Sequence, residues 1–189
     1  MDKKIYIKDI LNEEETLSRL TKEAAKDSWG NFHDFEKRKS NYLHYHTANF
    51  GADTIAMAGM FQSKFWPSKF VRVLDRCYYF KVARSSTLSF LNEKYLKATA
   101  SNYFLPLQIE IAISKGLIPF YSIAKLSRRP AMQRMVNIWN SKNALKFKIL
   151  PGLYYTCNDK VEDNDKEMCW QNIAILKIND YKDFNLPRR

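Results

Sequence analysis

At 189 residues the chain is long enough for one domain with a sizeable core, and a hydrophobic share of 46% excludes a disordered chain. No apolar run approaches the roughly 20 residues of a membrane-spanning helix, and the start MDKKIYIKDIL carries basic residues with no apolar leader, so no membrane partner and a cytoplasmic location are expected. A net charge of +11 suits a polyanionic partner, nucleic acid or an acidic protein included, but the basic groups FEKRKS, AKLSRR and PRR are scattered along the chain.

In chain order, residues 4–10 (KIYIKDI) alternate as a first strand. Asn12 and Glu15 make a capping-box pattern, and Leu17, Leu20 and Ala24 follow at helical spacing to an end near Lys26. The stretch DSWGNFHDF is a loop with aromatic cargo. Residues 36–50 read as a second helix, with Tyr42, Leu43, His46 and Phe50 on one face and Gly51 as its stop. DTIAMAGMFQ reads as a buried strand whose small residues allow close packing.

Next come FVRVLD and RCYYFKV, read as two adjacent strands joined by a short turn, hence an antiparallel pair. The polar turn ARSST follows, then an ambiguous segment to Tyr103. In LPLQIEIAISKG a helix is expected, with Leu105, Ile109, Ala112 and Ile113 inward and Gly116 closing it. LIPFYSIA is an apolar strand. Pro130 suits the first turn of a helix carrying Met132, Met135, Val136 and Trp139 at i, i+3, i+4, i+7. Two closing strands, the first kinked at Pro151-Gly152, flank the charged stretch NDKVEDNDKE.

A strand, a polar turn, a helix and a returning strand make a βαβ unit, which sets backbone amides and a helix start where anions bind. Arg84, Ser85, Ser86 and Thr87, just after Val82, occupy that turn and could hold phosphates through a guanidinium fork and hydroxyls; an ordinary solvated turn explains them equally well. Glu110, between two isoleucines, could act as a base if partly buried, although a solvated helix face is its commoner setting. His33, in the aromatic loop, is a candidate substrate contact or base, with Trp29 and Trp66 as pocket walls or core.

His44 and His46 stand two apart, about 200° from each other on a helix, a spacing that suits a strand-borne metal pair instead. With no cysteine or carboxylate cluster to complete a site, no metal is expected. Cys77, Cys157 and Cys169 lack zinc-knuckle spacing and are odd in number, so core thiols are expected.

The element order, together with LPLQIEIAISKGLIPFYSIA and VRVLDRCYYFKVARSS, resembles the GNAT superfamily of N-acyltransferases. The resemblance implies one α/β domain: a mixed, mostly antiparallel, twisted sheet of about seven strands flanked by about four helices. It implies acyl transfer from acetyl-CoA, or another acyl-CoA, to an amine, with the pantetheine arm against a strand that splays from its neighbour. Tyr121 or Ser122 on that strand would then protonate the leaving thiolate, and Tyr121 as a core residue is the plainer alternative. The richness in Asn, Lys, Tyr and Ile is similar to that of viral relatives. The chain departs from the family at the cofactor turn, where spaced glycines are usual and Arg84-Ser85-Ser86-Thr87 has none. A non-catalytic binding protein on the same fold is therefore the alternative.

Overall fold

The computed structural model describes residues 4–27, 35–62, 68–80, 98–123, 129–154 and 170–176. The strands are β1 (Ile5–Asp9), β2 (Tyr42–Phe50), β3 (Asp53–Phe61), β4 (Phe70–Tyr79), β5 (Ile118–Ile123), β6 (Phe147–Tyr154) and β7 (Trp170–Leu176). They form one sheet in the order β1-β2-β3-β4-β5-β7-β6. Only β4 and β5 run parallel; the other neighbours are antiparallel. The described α-helices are α1 (Glu14–Asp27), α2 (Phe35–Arg38), α3 (Leu105–Ser114) and α4 (Arg129–Lys142).

Two apolar layers hold the sheet. Leu17, Leu20 and Ala24 of α1 pack with Phe35, Tyr42, Tyr45, Phe70 and Phe120 on one face. Phe104, Leu105 and Ile109 pack with Ala48, Ile55, Val73 and Val136 on the other. The stripe expected on α1 is thus the buried one, and α4 carries its predicted Val136 inward. On α3, Leu105, Ile109 and Ala112 are buried, but Ile113 is 40% exposed and leaves the predicted stripe. Gly116, at φ 67°, ends α3: Leu117 N–H donates to Ala112 O, five residues back, and Gly116 N–H to Ile113 O. The kink expected at Pro151-Gly152 is a register shift between Leu150 and Leu153 against β7.

Two expectations are corrected. Residues 42–50 are a strand, not the body of a helix. An extra residue between Tyr42 and His44 shifts the β2–β3 register. It puts Tyr42 and Tyr45 on the same face, while Phe50, read as sharing a face with Tyr42, packs on the other. Secondly, FVRVLD and RCYYFKV are not an antiparallel pair. Residues 70–79 of them form one strand, β4, with two irregularities against β3. Leu74 (φ 55°) and Arg76 (φ 47°) adopt left-handed conformations that absorb the extra residues. A two-residue hairpin needs its turn conformation at adjacent central residues, usually Asn or Gly. Here Asp75 separates the two left-handed residues, and the chain continues forward.

The small residue that matters in β3 is Gly59. A Cβ there would overlap the Tyr42 and Tyr45 rings. Those rings meet edge to face at 5.1 Å within the α1-side core, so neither has room to move. Gly59→Ala is expected to destabilise the fold by about 1–3 kcal/mol in urea denaturation, the range of overpacked cores.

Candidate active site

The gap between β4 and β5 is the feature the topology builds. Phe70, Val71 and Arg72 pair with Ile118, Pro119 and Phe120, and there the parallel ladder stops. β4 nevertheless continues to Tyr79, held by β3, and β5 to Ile123, held by β7. The bulges supply the cause: β4 bends at Leu74 and Arg76 and leaves its parallel neighbour.

Cys77, Tyr79 and Tyr121 sit at this opening, on the face covered by α3, as partly buried members of the Phe104 and Leu105 cluster. A five-residue π-helical segment, Ala100–Phe104, leads into α3. Such widened turns recur at functional sites. The Tyr79 hydroxyl reaches the Ala100 N–H and the Cys77 thiol. Burial raises the Tyr79 pKa, and Cys77 and Tyr121 raise it further, against a smaller opposing effect of the Ala100 amide. Tyr79 therefore keeps its proton at neutral pH. On the same side a groove of about 250 Å³ runs between the π segment and α4, lined in part by Ser101, Asn102, Met135, Trp139 and Asn143.

Of the predicted residues, Tyr121 lies at the opening and is half-buried, and Ser122 follows it on β5, opposite Ile173 of β7. Glu110 is exposed on α3, so the partial burial on which its role as a base depended is absent. Val82, Arg84, Ser85, Ser86 and Thr87 lie outside the described residues, as do Trp29, His33 and Trp66. Tyr79 and Gln108 were missed. Tyr79 had no signal beyond a Tyr-Tyr pair in a strand. Gln108 did: one uncharged polar residue among the apolar positions of α3.

Across the sheet, on the α1 side, Asp75 is 1% exposed. Its carboxylate accepts the Tyr42 hydroxyl at 2.5 Å and lies 3.2 Å from Arg72 Nη1 and 3.5 Å from Arg38 Nη2. Burial alone would raise its pKa, but the Arg72 and Arg38 guanidiniums, the Tyr42 hydroxyl and Arg76 together hold it below the ordinary value. Arg38 also caps the Phe61 ring at 4.1 Å. Arg38 and Tyr42 reach Asp75 from a segment more than 30 residues away, so the cluster left no sign in FVRVLDR.

Gln108 fills the β3–β4 irregularity. Its Oε1 accepts the Leu74 N–H at 2.8 Å, and its Nε2 donates to Ala58 O and to His46 Nδ1, both at 3.2 Å. His46 is 3% exposed, and burial, with a smaller push from His44, lowers its pKa to about 4 against the pull of Asp9. The expectation that no carboxylate completes the histidine pair is also corrected. The β1–β2 register sets Asp9 opposite His46, and Asp9 Oδ2 lies 2.6 Å from His44 Nδ1. That pairing joins distant segments and left no mark in either.

Neither a protein-family model nor a curated protein matches the chain. Solved structures do. An IAA acetyltransferase from Bacillus cereus is 12% identical with a TM-score of 0.54, over 91% of this chain and 97% of that one. A putative acetyltransferase of the GNAT family from Bacteroides thetaiotaomicron is 12% identical with a TM-score of 0.54, over 93% and 88%. The diaminobutyrate acetyltransferase EctA from Paenibacillus lautus, in complex with its substrate L-2,4-diaminobutyric acid and coenzyme A, is 10% identical with a TM-score of 0.53, over 95% and 99%. The chain has a GNAT-like α/β fold.

Proposed function

We propose that the chain is an N-acyltransferase that moves an acyl group, acetyl foremost, from acetyl-CoA to an amine. The observation that carries this reading is the opening of β4 from β5 beyond Arg72 and Phe120, with two phenols and a thiol at its edge. A narrow arm carrying a thioester fits such an opening, and the groove beside α4 offers room for the rest of an elongated ligand. The coenzyme A complex of the diaminobutyrate acetyltransferase supports the same ligand.

Acetyl-CoA would supply an activated acyl carbon as a thioester. The chain's own share is positioning and proton transfer. The amine forms the new C–N bond as the C–S bond breaks, and the electron pair leaves on sulfur. Tyr121 donates its phenolic proton to that sulfur, the proton that the attacking nitrogen sheds on becoming an amide passes through solvent and restores the Tyr121 phenol, and Tyr79, held in the protonated form, lies beside it to orient or relay. Arg84, Ser85, Ser86 and Thr87, following Val82, are the proposed phosphate contacts. Trp29, His33 and Trp66 are the proposed acceptor contacts, and Ser122 is an alternative donor. Glu110, being exposed, is not retained as the base.

Calorimetric titration with acetyl-CoA should give one equivalent of binding and a raised melting temperature. Release of free thiol should then appear with a subset of an amine panel. Tyr121→Phe is expected to lower kcat by about 100-fold while leaving the acetyl-CoA KM within about threefold, as loss of a proton donor does. No heat and no melting shift at millimolar acetyl-CoA would remove the proposal. The second reading, a non-catalytic binder of nucleic acid or an acidic protein, rests on the +11 charge and the glycine-free turn. Salt-dependent binding of DNA or RNA without any acetyl-CoA response would favour it.

A further inference from the structure

We infer that Asp9, His44 and His46 form a binding site for a divalent transition metal of the zinc class. The inference is independent of the acyltransferase reading. On β2, His44 and His46 project from the same face two residues apart, with rings parallel within 10° and centroids 5.5 Å apart. Asp9 joins them from β1. One ligand atom from each of the three residues lies within 4.8 Å of the other two. Zinc binds imidazole nitrogen and carboxylate oxygen near 2 Å, so the donors must close by only about 1 Å toward a shared centre.

Two further features favour a metal over a plain ion pair. Asp9 is held in place: its Oδ1 accepts the Leu11 and Tyr45 N–H groups, both at 3.1 Å, which leaves Oδ2 for a ligand. Lastly, His44 Nε2 is buried with no hydrogen-bond partner among the described residues, so the ring is satisfied only on its Asp9 side. Asp9 Oδ2 already lies 2.6 Å from His44 Nδ1, and a metal bound there would take the place of that hydrogen bond. Two imidazoles select zinc, cobalt, nickel or copper over magnesium and calcium, which prefer oxygen ligands. The Asp9 side chain is 39% exposed, which gives the site a route to solvent and room for water as a further ligand.

The test is titration of the full-length, metal-treated and chelator-cleared protein with zinc chloride by calorimetry, and with cobalt(II) by visible absorption. One equivalent should bind at micromolar concentration or below, and cobalt should give the d–d bands of a low-symmetry site. Asp9→Asn keeps an oxygen for the two backbone amides and should weaken binding at least about tenfold, as should His44→Asn. Cys77→Ser should leave binding unchanged. Circular dichroism identifies a variant that fails to fold, in which case the other variant decides. The inference is overturned by the absence of one-equivalent binding up to about 100 µM zinc, an about hundredfold excess over micromolar affinity. It is equally overturned by binding that the folded Asp9 and His44 variants leave intact.

Discussion

Asp75→Asn is expected to destabilise the protein by about 3 kcal/mol, the scale of breaking a buried ion pair from one side. The amide can still accept from Tyr42, so shape and that hydrogen bond survive. What is lost is the carboxylate set against Arg38 and Arg72, whose side chains are only about a quarter exposed. Urea denaturation at neutral pH measures the loss; a change below about 1 kcal/mol would mean that water reaches the guanidiniums well enough to replace the charge. The same carboxylate sets a pH dependence. Its folded-state pKa lies below the unfolded value, so the unfolded chain takes up protons first as pH falls. The stability it contributes is fully present above the unfolded carboxylate pKa of about 4 and is lost as pH drops through the folded pKa. Asp75→Asn should flatten that acid limb, and a denaturation series below pH 5 reads it.

The second large effect is expected at Gln108. Gln108→Leu keeps volume but strips a hydrogen bond from Leu74 N–H, from Ala58 O and from His46 Nδ1, all inside the core. Buried groups left unsatisfied cost about 1–3 kcal/mol each, so a loss of about 2–4 kcal/mol is expected after partial relaxation. Hydrogen exchange should accelerate most at the Leu74 amide, because Gln108 Oε1 is the acceptor that the structure gives it at the β3–β4 irregularity. Gln108→Glu separates the acceptor from the donor role. Its carboxylate still serves Leu74 N–H but faces the Ala58 carbonyl, so it should be destabilised at neutral pH and recover on mild acidification. Equal stability of Gln108→Glu and the parent at pH 7 would argue that the Ala58 and His46 contacts contribute nothing.

The parts of the architecture readable in advance were those where a local pattern and the final environment agree. The stripe of α1, the glycine stop after α3, the apolar runs of β3 and β5 and the break at Pro151-Gly152 all appear where periodicity and turn chemistry put them. The failures share one cause. Bulges change the spacing of same-face residues, so β2 departs from strict alternation and β4 imitates two strands. Of the proposed site, Tyr121 on an apolar strand was readable, while its partner Tyr79 emerged only when two non-adjacent strands were set side by side.

The sequence by itself determined a single basic α/β chain, the helices whose faces it must bury, and the strand–turn–helix–strand order, because these follow from residue type and short-range spacing. Only the tertiary structure decided that β4 leaves β5 after Arg72, that Asp75 is enclosed by arginines, and that Asp9 meets His44 and His46. Those arrangements come from the pairing of segments far apart in the chain and from left-handed residues at Leu74 and Arg76, a conformation neither residue type foretells.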